Sequence, residues 1–282
     1  MSAKLDAFVR GATRMPALPV MMKKLFSALN NPAFSVSELS KIISTDTSLS
    51  AKVLKMANSA FYFRQENVST VQVAAVRLGH KTIRSLVLTV WTQTFKTFPL
   101  KADELDLVTA LLEHGTTTAV GANLLIQPVQ AGLAEETYIA GLLHDIGRLA
   151  LVCQLGRSYE NDVLNRAMAE QKDIREIENQ VLGFDHAMLG ARLLQSWHIA
   201  PVSVHAAAEH HRAEVNPAEE PVVAAVALAD DLATRKGHNV AENALRQNRD
   251  NLMAFFNLTD LPAFEEKWDQ KLQELSQALE DL

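Results

Sequence analysis

The sequence predicts an all-α protein. Apolar residues recur at spacings of three and four along nearly the whole chain, and alternating runs bounded by turn residues are scarce. Residues 20–30 read as a first helix, which follows Pro16 and Pro19 and is stopped by Asn31-Pro32. The next stretch offers Ser35 or Ser37 as an N-cap, with Leu39, Ile42 and Ile43 on one face. A helix after Asp46 carries Leu49, Val53, Leu54 and Ala57 on one stripe. VQVAAVRLG and HKTIRSLVLTVWTQTF give two more, the second ending near Phe98-Pro99. Asp103 is the expected N-cap of the helix that follows this boundary. Further helices are expected at 103–126, 135–153, 157–171, 173–181, 186–197, 201–211 and 219–236. The tail places Phe264, Trp268, Leu272, Leu275, Leu279 and Leu282 on one apolar stripe expected to pack back on the chain, with docking on a second subunit as the alternative. Two packed helical subdomains follow, with residues 1–100 as an N-terminal half, 101–238 as a second helical domain and 239–282 as a helical tail.

Composition narrows the function classes. A formal net charge of −6 argues against coating nucleic acid or anionic membrane by bulk charge. Lys52, Lys55 and Arg64 are too few and too scattered to make the 35–59 region a DNA-reading helix-turn-helix. No stretch approaches the roughly 18 apolar residues of a spanning helix, so no membrane role is expected. Cys153 is the single cysteine, in LALVCQL, and reads as a buried structural thiol in a reducing cytoplasm.

The chemistry lies in the histidines. GLLHDIGRLAL puts His144 and Asp145 inside an apolar run, where an unpaired charge is expensive to bury. On adjacent helix positions two side chains diverge by about 100°, yet both reach a cation near the helix surface, and the cation offsets their desolvation. Gly141 and Gly147 flank the pair and admit a close neighbour. His114 sits mid-helix among apolar and small residues, His186 opens a helix, His210-His211 end one, and Asp230 follows an apolar run. Singly, each also suits a hydrogen-bonded core histidine, a cap, or a histidine at a helix C-terminus. Their delivery by five helices from apolar surroundings points to a metal site. Mixed imidazole and carboxylate ligands suit Fe, Mn or Zn.

The series His114, His144-Asp145, His186, His210-His211, Asp230 resembles the ligand pattern of the HD superfamily of metal-dependent phosphohydrolases, in particular its HD-GYP branch. In the first half, Asp46, Leu49, Leu54, Ala57, Asn58 and Ser59, followed by Ala74, Leu78 and Gly79, are similar to the HDOD domain, the HD-related output domain of bacterial signalling proteins. The likeness runs over about residues 14–235 and makes the second domain HD-like. It implies one ion on His114, His144, Asp145 and Asp230, with Asp145 bridging to a second on His186, His210 and His211. Asp145 and Arg148 are then the expected catalytic residues, with Arg148 meeting a substrate phosphate or forming a surface salt bridge. Arg148 stands where active relatives commonly carry lysine, and HHRAEVNP replaces their dinucleotide-binding segment, so cyclic di-GMP is not implied as the ligand. The function expected from the resemblance is a bacterial signalling protein with a metal site, a regulatory role and a signalling protein as partner. The alternative is an active phosphohydrolase on a nucleotide or cyclic dinucleotide.

Overall fold

A computed structural model describes residues 3–11, 35–62, 67–237, 249–280 and 282. Among these residues there is no strand. In chain order the helices are α1 (Ala3–Gly11), α2 (Val36–Ser44), α3 (Thr47–Ala57), α4 (Val71–Thr92), α5 (Ala102–Gln130), α6 (Ala134–Leu143) and α7 (Ile146–Leu155). They continue as α8 (Asn165–Glu170), α9 (Ile174–Leu182), α10 (His186–Ser196), α11 (Pro201–Glu209), α12 (Pro221–Arg235), α13 (Arg249–Phe255) and α14 (Leu261–Glu280). The expected helix over 20–30 lies outside the described residues, and α1 is an element the sequence reading did not anticipate. The chain divides into two compact units, Leu18–Thr94 with Asp260–Leu282, and Met1–Ala17 with Phe95–Thr259.

In the first unit, α2 and α4 pack together, and α3 packs on both α4 and α14. Ser35 is the N-cap of α2. Its hydroxyl accepts from Glu38 N, and Glu38 Oε2 accepts from Ser35 N at 2.9 Å, a reciprocal cap worth about 1 kcal/mol. Asp46 caps α3 by accepting from Leu49 N at 2.9 Å. Asn58 ends that helix and clasps Val68, donating to its carbonyl at 3.0 Å and accepting from its N–H at 2.7 Å. The tail stripe is buried at Trp268 and Leu275 and half-buried at Phe264, Leu272 and Leu279. Gly79 breaks α4 with φ 81 and ψ 158, a conformation essentially restricted to glycine. No atom stands within 4 Å of where a Cβ would be, so Gly79→Ala tests conformation alone. It is expected to destabilise by about 1–3 kcal/mol, seen as a lowered Tm. An unchanged Tm would show that the kink is not held.

In the second unit, α5 lies against α6, α7 and α12, α6 also packs on α11, and α7 and α11 both pack on α10. Several boundaries differ from the sequence reading. The helix begins at Ala102 after Lys101, so Asp103 lies in its first turn rather than capping it. It also runs through Pro128 to Gln130. The stretch 157–171 contains a π turn at Glu160–Leu164. Cys153 is buried. No single helix among the described residues is long and apolar enough to cross a membrane.

Candidate metal centre

The stretch 135–153 is two helices rather than one, and the break falls on the His-Asp pair. His144 keeps helical angles, but Asp145 turns to φ −100 and ψ 19. Its carbonyl then starts α7 by accepting from Arg148 N at 2.9 Å. The pair is thus carried on a corner. Two glycines let neighbouring helices reach that corner. A Cβ on Gly141 would lie 2.8 Å from Ala119 Cα, so α6 crosses α5 at backbone contact. A Cβ on Gly147 would lie 2.0 Å from His186 O and 2.8 Å from Gly190 N, so α7 crosses α10 in the same way. These crossings bring His114 of α5 and His186 of α10 to opposite sides of Asp145.

On one side, His114 Nε2 is 3.1 Å from Asp230 Oδ1 and 3.2 Å from His144 Nε2. Asp145 Oδ2 faces this group, 4.0 Å from His114 Nε2 and 3.8 Å from His144 Nε2. On the other side, Asp145 Oδ1 is 3.4 Å from His186 Nε2 and 3.5 Å from His210 Nε2. His186 Nε2 is in turn 2.9 Å from His211 Nε2. One carboxylate therefore stands between two imidazole groups, with one oxygen turned to each. The ligand atoms of Asp145, His186, His210 and His211 lie within 4.8 Å of one another, as do those of His114, His144 and Asp230. All are buried except His211, which is half-buried.

The ring nitrogens are committed in a way that suits a cation. Nδ1 of His144 meets Gly141 O at 2.6 Å. Nδ1 of His210 meets Ala207 O at 2.9 Å. Nδ1 of His186 meets Glu178 Oε2 at 2.7 Å. An N–H at Nδ1 leaves the Nε2 lone pair facing the centre, which is the metal-ligating tautomer. Ligands about 2.1 Å from a shared ion sit about 3.0–3.4 Å apart, close to the Nε2 spacings seen here. Asp145 Oδ1 is buried and meets hydrogen-bond geometry with no partner. Buried oxygens are seldom left so, and a cation there would satisfy it. The residues present fit a metal centre.

The electrostatics agree. Burial opposes the charge on Asp145, but His144, Arg148, His210 and His186 outweigh it and hold the carboxyl well below its usual range. Burial lowers His144 to about 4 against the pull of Asp145, and burial beside His210 and His186 also lowers His211. Desolvation disfavours charge on His186 too, yet the charge and hydrogen bond of Glu178 prevail and raise it to about 9. For the metal-free protein the signs are opposite. The folded value of His144 lies below its ordinary 6.5, so its contribution is full above pH 6.5 and is lost as pH falls toward 4. The folded value of His186 lies above 6.5, so its contribution is full below pH 6.5 and is lost as pH rises through 9. Each is worth on the order of 3 kcal/mol. Urea midpoints of chelator-treated protein are expected to peak near pH 6.5, whereas a flat profile from pH 5 to 9 would contradict this balance.

Arg148 is not on the surface. It is 1% exposed and donates from Nη1 to Asp145 Oδ2 at 3.1 Å. The sequence reading missed Glu178 and Tyr159. Glu178 is fully buried on α9 and accepts from His186 N at 2.8 Å, as well as from Nδ1. Its second oxygen accepts from Tyr159 Oη at 2.6 Å, and burial together with Glu178 raises that phenol well above its ordinary value. The available signal was a carboxylate on the buried face that Ile174 and Ile177 define.

The family model of the HDOD domain matches residues 15–213, which include all these candidate ligands except Asp230. An uncharacterized protein of Treponema pallidum (strain Nichols) is 23% identical over 234 residues, or 77% of this chain, and the chain spans 41% of that protein's length. The crystal structure of an HDOD domain protein of unknown function from Geobacter sulfurreducens matches with a TM-score of 0.75 at 22% identity, covering 98% of this chain and 96% of that one. A Shewanella amazonensis SB2B structure, whose name proposes a phosphohydrolase, matches with 0.73 at 26% identity over 99% and 98% of the two chains. A Marinobacter aquaeolei VT8 structure, whose name proposes a signal transduction protein, matches with 0.71 at 18% identity over 98% and 64%. With most of its length covered by the HDOD model and its all-helical fold shared with these structures, the chain belongs to the HDOD family.

Proposed function

We propose that this HDOD protein is a signalling module whose larger unit binds two divalent transition metal ions, Fe, Mn or Zn, and uses them for regulation rather than turnover. The observation that carries the metal reading is the placement of Asp145, one oxygen toward His114, His144 and Asp230 and the other toward His186, His210 and His211. His114, His144, Asp230 and Asp145 would hold one ion, and Asp145, His186, His210 and His211 the other. Such ions supply Lewis acidity toward a phosphate group or a water. The chain's own residues bury and orient the ligands. Arg148 supports a regulatory role in that its Nη1 is already engaged by Asp145 Oδ2 at 3.1 Å. The Marinobacter relative's name points the same way. A signalling protein is the partner this reading requires, and a nucleotide or phosphate is its small ligand.

The second reading is an active phosphohydrolase on a nucleotide or cyclic dinucleotide. It is favoured by the half-buried His211, through which the centre reaches solvent, and by the name of the Shewanella relative. Metal quantification of purified protein together with phosphodiesterase assays on a nucleotide panel separates the two. Two bound ions without turnover support the regulatory module. Turnover that disappears in Asp145→Ala supports the enzyme, and protein that takes up no metal contradicts both.

A further inference from the structure

We infer that Glu178, backed by Tyr159, is a positioning residue that fixes His186 as a metal ligand and sets the occupancy of the half-site on Asp145 Oδ1. This rests on the two-ion reading above. His144 and His210 are oriented by backbone carbonyls three residues earlier on their own helical turns, at Gly141 and Ala207. Their orientation is therefore local and survives most side-chain changes. His186 is different, because its Nδ1 is held by a charged side chain from another helix, eight residues back in the chain. Glu178 is fully buried and takes three hydrogen bonds, from His186 N at 2.8 Å, His186 Nδ1 at 2.7 Å and Tyr159 Oη at 2.6 Å. The two bonds to His186 use Oε2 and the tyrosine uses Oε1, so the carboxylate is held at both ends. With Nδ1 tethered, the ring presents Nε2 to Asp145 Oδ1 at 3.4 Å and to His211 Nε2 at 2.9 Å. An anionic partner on the far nitrogen also makes the ligating nitrogen a better donor.

His186 thus depends on a remote charged side chain, as His144 and His210 do not. In the full chain, stripped of metal and titrated with Co(II) or Zn(II) against a competing chelator, wild-type protein is expected to bind two ions. Glu178→Gln keeps the shape and removes the charge. It is expected to bind one ion at wild-type affinity and the other about 10–100-fold more weakly, with a matching loss from the Co(II) absorption spectrum. Tyr159→Phe leaves both bonds to His186 in place and is expected to weaken the same ion by a smaller factor. A role in folding alone would lower Tm without distinguishing the two ions. Two ions at wild-type affinity with an unchanged Co(II) spectrum in Glu178→Gln would overturn the inference. If that variant does not fold, the same result in Tyr159→Phe overturns it. Wild-type protein that binds neither metal would sink the two-ion reading itself, a distinguishable failure.

Discussion

Asp145→Asn is expected to lose both proposed ions, because among the described residues Asp145 is the carboxylate that faces both histidine groups. Removing a carboxylate that orients a ligand costs about 10–100-fold in metal affinity, and removing a shared ligand is expected to reach at least about 100-fold for both ions. The substitution also acts on the metal-free protein. Arg148 is buried and donates to Asp145 Oδ2, so neutralising that carboxylate removes an anionic partner from an interior cation at a cost of up to about 3–5 kcal/mol. Metal loss and destabilisation are separable in a double-mutant cycle. Asp145→Asn with Arg148→Met is expected to regain part of the lost stability and still bind no metal. Isothermal titration with Zn(II) and thermal melts in chelator read the two effects. Retention of one tight ion by Asp145→Asn would show that the carboxylate does not serve both sides.

Gly147→Ala carries the second large effect, and its origin is steric. A Cβ there would stand 2.0 Å from the carbonyl oxygen and 2.8 Å from the carbonyl carbon of His186, with Gly190 N also at 2.8 Å. All three are backbone atoms, so no rotamer change relieves the clash, and α7 and α10 must separate. Overpacking of a tight core costs about 1–3 kcal/mol when side chains can yield. Here the cost is expected to be about 3 kcal/mol or more, accompanied by loss of the ion shared by Asp145 and His186. Gly190→Ala is the control. Its Cβ would meet Gly147 N at 3.2 Å, which requires only a shift of a few tenths of an ångström. It is expected to be much milder. Equal Tm values for wild type and Gly147→Ala would contradict the backbone contact between α7 and α10.

The candidate ligands that the structure brings together were legible because each carries its own local signal. His186 follows the Asp185 N-cap, His210 caps the end of α11, and His114 and Asp230 interrupt otherwise apolar helices. The break at His144 and Asp145 was not legible. Apolar residues continue on both sides, from Ile139 to Leu143 and again from Ile146, so periodicity passes through a corner that packing against α5 and α10 creates. The burial of Arg148, which rules out the surface salt bridge, was not legible for a related reason. A cation in a short apolar helix looks outward unless the carboxylate one turn earlier is known to be buried with it. Glu178 and Tyr159 stand 19 residues apart, with Glu178 in a charged-looking segment, and only the fold shows that they meet. In the first half, Asp46 and Asn58 have plain structural tasks, capping α3 and clasping Val68. The kink at Gly79 falls between the two segments that sequence periodicity separates.

Anomalous diffraction from crystals grown with Mn(II) or Zn(II) tests the two-ion centre most directly. Two peaks are expected on opposite sides of the Asp145 carboxylate, one among His114, His144 and Asp230 and the other among His186, His210 and His211. Maps from metal-loaded crystals with no peak in contact with Asp145 would contradict it.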